Sequence, residues 1–587
     1  MRFPALNFFS YLYGVKRTWA IIAALLLTLA ATGTERKALL LFVQFKDLQF
    51  SADATQFQGL ADSLTLYFNA QFHGNPEFSF TKGPLITIDE SYTVYGAYDI
   101  HKGPDWKMPE AVVQACRQAA DSLSLAEFIN PPAPELRDLL VLVPSKSEID
   151  SLDNNLFRPQ FVNIQGNNTV GKYKIACYGI ACELDADGEF TGIGYLAHEY
   201  GHILGLPDWY DTDGEGSGGV SPALWGKFAL MDDGNRNCGG HRPPNFCAPD
   251  YYTLGAGLGE VIDTVGTYTL EPIDEQGRFF IFEGPRSGEV FLAESRLDRG
   301  WDTLIGGRGL AIYHYDRSDG PAGWSDWDGR NLTAAERWEK NRVNCNPAHQ
   351  CVELQAPDTL SPFFPSGPLE SFASETTPSF RFWDGTISPL AISGITQGPD
   401  GVVTFNLTRP ISGLGVIPFQ NSVILSWKCD SAITGIDSCK VVCTKGVDTL
   451  AVTKGTLIEE NRWSCTLGGL SPATTYKVTV YIMKNGSPFF SAAISASTLS
   501  MRSGSIPFIY VKGADRGRDG SFRPGARIPL QVFNASGVES IVWYWNGSEV
   551  QAEADGLFTI PGSGVLKAEV FLKDGSVDYL QKEITVR

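Results

Sequence analysis

Around residue 265 the chain changes texture, and that change limits its fold more than any other feature of the sequence. Before it, two kinds of apolar run alternate. KALLLFVQF (37–45) is a continuous apolar run of strand length, whereas DSLTLYFNAQF (62–72) and PEAVVQACRQAADSLSLAEF (109–128) have helical spacing. DLLVLVP (138–144) and KYKIACYGIACEL (172–184) return to extended chain. Strands alternating with helices predict an α/β or α+β domain over 34–265. Beyond it, RFFIFEG, EVFLAES, GLAIYHYD and VVTFNL are short strands between Gly, Pro and Asp turns. They predict an all-β segment over 266–409, with room for one short helix in WSDWDGRNLTAAERWEKNR (324–342).

Two smaller modules follow. Residues 410–500 alternate as strands and include SVILSWKC, around Trp427, and LSPATTYKVTVYIM. In the second stretch Leu470, Pro472, Thr474 and Tyr476 resemble the LxPxTxY corner of fibronectin type III domains, whose tyrosine bonds back to the backbone. Residues 501–587, with IVWYWNG, LKAEVFL and YLQKEITV, read as an Ig-like β-sandwich.

At the N-terminus Arg2, Lys16 and Arg17 precede WAIIAALLLTLAA, and Thr32 and Gly33 follow it. That order predicts a secretory signal peptide over 1–33, with an uncleaved membrane anchor as the alternative, so the mature protein is expected outside the cytoplasm, secreted or at the cell surface, with no integral membrane segment once the signal is removed. Eleven cysteines fit an oxidising compartment, with expected short-loop pairs Cys177–Cys182, Cys238–Cys247 and Cys345–Cys351 and the connectivity of Cys429, Cys439, Cys443 and Cys465 open. Cys116, in a helical-looking run, is expected to be a buried free thiol. Sequons stand at Asn167, Asn331 and Asn406. A net charge of −19 argues against nucleic-acid partners, which need clustered Lys and Arg.

The chemistry concentrates in AHEYGHILGLPDWYD (197–211). On a helix, residues four apart share a face, so His198 and His202 can turn two imidazoles to one ion, with Glu199 beside them as general base. Gly201 costs the helix roughly 1 kcal/mol against Ala, which packing alone does not explain. Gly205 can end the helix, and Asp208 falls where HExxHxxGxxD places its third ligand, a carboxylate that zinc accepts. The alternative for Asp208 is a hydrogen bond to a ligand histidine, with Asp211 or a distant carboxylate on the metal. Met231, in WGKFALMDDG, is a candidate methionine turn beneath the metal. His314 is expected to pack within its strand. The loops DADGE (Asp185, Asp187, Glu189) and DTDGE (Asp211, Asp213, Glu215) alternate oxygens around a glycine and are candidate calcium sites, with solvated turns as the alternative.

HEYGHILGLPDWYD, EGSGGVSPALWGKFALMDDG and ESRLDRGWDTLIGGRGLAIYHYD together resemble the immune inhibitor A family of secreted bacterial metallopeptidases. The resemblance runs more faintly over 37–407. It implies a zincin or metzincin-like α+β catalytic domain, followed by the β-rich segment, and a zinc endopeptidase acting on extracellular proteins or glycoproteins. His198 and His202 become ligands under it, Glu199 the base and Asp208 the third ligand. Two departures stand out. The first core-like strand begins only a few residues after Gly33, where family members carry a propeptide. Some metzincins also place an oxyanion-stabilising tyrosine two residues after the turn methionine, whereas Asp233 is here, with Tyr251 and Tyr252 the nearby substitutes. The competing function is a surface adhesin or glycan-binding protein whose sandwich modules bind and whose peptidase domain is only a scaffold.

Overall fold

The computed structural model describes residues 35–96, 107–130, 134–146, 157–166, 168–185, 187–222, 224–359, 361–500, 506–511, 516–517 and 519–587. The segment 1–33 expected to be a signal peptide and the sequon asparagine Asn167 lie outside them. The chain is multidomain and mostly β, with few helices, and divides into two compact units. The first takes in the chain to Asp263 with Tyr268–Glu370 and Ile395–Phe405; the second takes in Thr264–Thr267, Ser371–Gly394 and Asn406–Arg587.

The first unit begins with a five-stranded sheet. Its strands are β1 (Arg36–Phe45), β2 (Phe78–Ile88), β3 (Leu139–Lys146), β4 (Gln160–Asn163) and β5 (Cys177–Leu184), in the order β2-β1-β3-β5-β4. The first four in that order run parallel, and β4 closes the edge antiparallel to β5. Period two divides the central strands between two cores. Leu40, Phe42, Leu140, Leu142, Cys177 and Ala181 face one side, and Leu39, Leu41, Val141, Val143, Ile180 and Cys182 face the other. Burial on both faces explains why these strands read as unbroken apolar runs.

Helices cover both faces. On the first side lie α1 (Ala54–Phe72) and α3 (Gly194–Leu204); on the other lies α2 (Met108–Ala119), whose Cys116 is the expected buried free thiol, pushed up to about 12 by burial. The helix expected over 109–128 stops early. Ser122 Oγ turns back to Ala119 O, and a separate single turn, Leu125–Phe128, follows.

After α4 (Ala248–Leu254) comes a second sheet: β6 (Leu258–Val261), β7 (Arg278–Glu283), β8 (Glu289–Arg296), β9 (Gly309–Asp316) and β10 (Val352–Leu354), in the order β10-β9-β8-β7-β6. The short helix foreseen in 324–342 is α5 (Ala334–Glu339), started by a capping box between Thr333 and Glu336.

In the second unit, residues 411–497 form two four-stranded sheets around Trp427. The tyrosine corner is present: Ser471 N–H donates to Tyr476 Oη at 2.8 Å. The C-terminal residues build a four-stranded sheet from Val538–Trp545, Ser548–Val550, Gly564–Leu572 and Val577–Ile584, cored by Trp543, Trp545 and Phe558. Among the described residues no helix is long and apolar enough to cross a membrane.

The expected disulfides do not form; all eleven cysteines are free. Cys177 and Cys182 sit five apart on β5, so the pleat sends their sulfurs into opposite cores. Cys247 is buried and bonded to Asp250, while Cys238 is exposed. Cys345 meets Thr212 rather than Cys351. In the second unit Cys429 and Cys439 approach most closely, at 3.8 Å between sulfurs.

Candidate metal centre

The site begins with the packing of α3. Tyr200, between the two histidines, is fully buried among Phe68, Phe78 and Phe80, and its phenol donates to Asp138 Oδ1 at 2.6 Å. Arg36 holds the same carboxylate at 2.8 Å, so the helix is fixed in rotation against β1 and β3. Two glycines let neighbours come close. A Cβ on Gly179 of β5 would lie 2.6 Å from Glu199 Cβ, so strand and helix nearly touch there. A Cβ on Gly201 would lie 2.6 Å from Met231 Sδ, which explains the costly glycine inside the motif. Met231 is thus packed beneath the histidine helix, and its carbonyl accepts from Trp209 N–H at 2.8 Å. The helix ends at Gly205 with φ +111°, a left-handed position where a side chain is strained.

That turn delivers Asp208 to the two imidazoles. Asp208 Oδ1 lies 3.1 Å from His198 Nε2 and 3.3 Å from His202 Nε2, and the imidazole rings stand at 89° to each other. Four ligands about 2.0–2.1 Å from a tetrahedral ion are about 3.3 Å apart. The donor separations match that edge.

Protonation supports the same reading. His198 Nδ1 lies 3.0 Å from Leu230 O, and His202 Nδ1 lies 2.8 Å from Leu206 O. A carbonyl only accepts, so each Nδ1 donates to it and each Nε2 is the ring nitrogen turned toward the Asp208 carboxylate. That is the ring orientation in which a histidine presents Nε2 to a metal. Burial alone would lower the His198 pKa, but Asp208 and Glu199 outweigh it and hold it up to about 9. Burial opposes ionisation of Asp208 too, yet the imidazoles keep it well below the usual carboxylate range.

Glu199 is buried beside this group, and its Oε2 has no hydrogen-bond partner. Burial pushes its pKa up to about 7, against the pull of both histidines. A desolvated carboxylate with a spare oxygen suits proton transfer at neutral pH.

The tyrosines sort differently from expectation. Tyr251 is buried, with its phenol donating to Gln71 O at 2.8 Å, and Tyr252 packs on Tyr315 and Phe279. The phenol at the site is Tyr210, which is 40% exposed and faces the His198 ring at 6.4 Å. Tyr210 carries no motif signal, although it stands two residues after Asp208. Phe161, on the edge strand β4, lies 5.9 Å from the His202 ring.

Neither acidic loop gathers its three carboxylates. Asp185 Oδ1 accepts from the backbone of Asp187 and Glu189, whose own side chains are exposed. Asp211 accepts from the backbone of Asp213, Gly214 and Ser221. Asp211 and Asp213 come together with Cys345 instead of the exposed Glu215, and a thiol does not suit calcium. His314 packs in its strand, as expected, stacked on Phe291 at 4.2 Å.

Residues 164–251 match the family model described as immune inhibitor A peptidase M6, catalytic domain. The resemblance read from HEYGHILGLPDWYD therefore stands, and it supports a metallopeptidase. No curated protein matches the chain. Similar solved structures include the FN5 domain of Drosophila Lar, 17% identical, covering 15% of this chain and 95% of that one at a TM-score of 0.13. A two-domain fibronectin type III segment from chicken tenascin is 14% identical, covering 30% of this chain and 98% of that one at a TM-score of 0.15. The fibronectin-like reading of residues 410–500 rests on the tyrosine corner.

Proposed function

We propose that the chain is an exported zinc-dependent endopeptidase of the zincin kind that hydrolyses peptide bonds of extracellular proteins. The observation that carries this reading is the convergence of His198 Nε2, His202 Nε2 and Asp208 Oδ1 at tetrahedral spacing. The donors, two imidazoles and one carboxylate, are a three-ligand catalytic set that leaves a position open. Zinc held there supplies a Lewis acid that acidifies a water and polarises the scissile carbonyl. Glu199 takes the proton of the attacking water and returns it to the leaving amine, and its raised pKa lets it do both near neutral pH. Tyr210 supplies the phenol donor for the developing oxyanion. Strand β4, the outermost of its sheet among the described residues and antiparallel to β5, suits an extended substrate laid beside it, with Phe161 next to His202. Residues 34–265 and 266–409 are assigned to the catalytic and β-rich segments, 410–500 and 501–587 to the two sandwiches, and 1–33 to export.

The test is cleavage of an unfolded generic protein by the exported form, beside Glu199→Ala prepared identically. Loss of about 10²–10⁴-fold in rate with zinc retained is the expected result. No zinc and no cleavage in either protein sinks the peptidase and brings the binding-module reading forward.

A further inference from the structure

We propose that Asn341 is a positioning residue for the metal ligand Asp208, so that the centre is completed by a residue far downstream of the histidine helix and outside the segment matched by the peptidase family. The proposal rests on the metal reading above.

Asn341 follows α5 in a left-handed conformation, φ +53°. Its Oδ1 accepts from Asp208 N–H at 2.8 Å, and its Nδ2 donates to Asp208 Oδ2 at 2.6 Å. One amide thus fixes both the backbone and the carboxylate rotation of Asp208. With Oδ2 occupied, Oδ1 is the oxygen left facing the two imidazoles. The surroundings hold the clamp in place. Arg342 N–H closes onto Arg337 O at 2.9 Å, Thr212 Oγ1 donates to Asn341 O at 3.1 Å, and Asn344 Nδ2 donates to Trp209 O at 2.9 Å. Trp338 meets Trp209 edge to face at 5.5 Å. The turn carrying the third ligand is therefore gripped at Asp208, Trp209 and Thr212 by residues 338–344.

Partners that orient metal-binding carboxylates typically contribute 10–100-fold in affinity. Asn341→Gly is the cleanest deletion, because glycine adopts positive φ without strain. Asn341→Asp is the second variant, which keeps an acceptor for Asp208 N–H but sets a like charge against Oδ2. Asn344→Ala loosens the same segment without touching Asp208. Zinc affinity is read by competition with a chromophoric chelator on the full exported chain, and thermal midpoints of the metal-free proteins are read alongside. The expected result is one zinc per parent chain, roughly 10–100-fold weaker binding in both Asn341 variants, and Asn344→Ala within about threefold of the parent at a comparable loss of midpoint. Equal weakening by Asn344→Ala reduces Asn341 to a structural residue and overturns the proposal. Parent-like affinity in the Asn341 variants overturns it while leaving the metal reading intact. No zinc on the parent overturns both.

Discussion

Two buried groupings in the first unit bring histidine against carboxylate at nearly the same distance. In one, His314 Nε2 meets Glu289 Oε1 at 2.9 Å on neighbouring antiparallel strands; in the other, two Nε2 atoms meet Asp208 Oδ1 at 3.1 and 3.3 Å. The strand pair shares one hydrogen bond and the His314 ring stacks on Phe291, and among the described residues the pair gathers no third ligating group. At the helix, carbonyls hold both Nδ1 atoms, so two Nε2 atoms and one carboxylate oxygen meet at a single point beside Glu199. Proximity of histidine to acid is therefore not what distinguishes the candidate metal centre. Convergence of three ligating groups on one point does.

Matched substitutions sharpen that contrast. His202→Gln keeps bulk and a donor but removes a ligand, and its loss of zinc affinity should exceed the 100-fold typical of a lost supporting partner. His314→Gln keeps a donor toward Glu289, so zinc affinity should equal the parent's while the thermal midpoint falls by a few degrees. Zinc titration of the two variants side by side decides the matter. Equal losses would erase the distinction between the two groupings.

A smaller effect is expected from the strand beneath Glu199, the proposed general base. Alanine at Gly179 sets a Cβ 2.6 Å from Glu199 Cβ and 2.9 Å from Leu140 Cδ2, so helix or strand must shift. Overpacking of this kind costs about 1–3 kcal/mol. Displacing a catalytic group by about 1 Å can cost about 10²-fold in rate. Gly179→Ala should thus lower kcat by roughly 10–100-fold with zinc content unchanged. Unchanged kcat would mean that the close approach serves packing alone.

What the sequence disclosed follows from what is local. The i,i+4 histidines, the helix end at Gly205 and the reach to Asp208 depend on one helical turn and one left-handed residue, and each appears where the pattern put it. Strand β1, buried on both faces, was legible as an apolar run. Strand β2 was not, because Lys82, Gly83 and Pro84 interrupt FSFTKGPLITI like a turn; they instead sit where the pairing with β1 shifts register between Leu40 and Phe42. The edge strand β4 was missed because four half-exposed residues carry no clear period. Asn341, Gly179 and the neighbours of the cysteines were illegible for one reason: their partners are set by tertiary topology. Spacing alone suggested Cys177–Cys182, which the pleat forbids. Tyr210 was in plain view, but a phenol beside a ligand has no signature until the turn after Asp208 is built.

The smallest expected effect concerns a carboxyl next to Met231. Asp232 is buried, and its oxygens accept from the backbone N–H groups of Leu224, Gly226 and Asp233. Burial, aided by the Asp233 charge, raises its pKa from 3.8 to about 6. Unlike the paired Asp208, it is therefore a group the fold prefers protonated. Between pH 3.8 and about 6 the folded chain holds a proton that the unfolded chain has released, so this group's contribution to stability falls as pH rises through that window. About two pKa units correspond to at most ~3 kcal/mol. Asn at this position keeps an acceptor oxygen and never ionises. Measured with chelator present, so that zinc binding does not enter, the midpoint of Asp232→Asn relative to the parent should climb by a few degrees from pH 4 to pH 7, whatever constant offset the new amide hydrogens introduce. A difference flat across that range would show that the three backbone donors already stabilise the ionised carboxylate as well as water does.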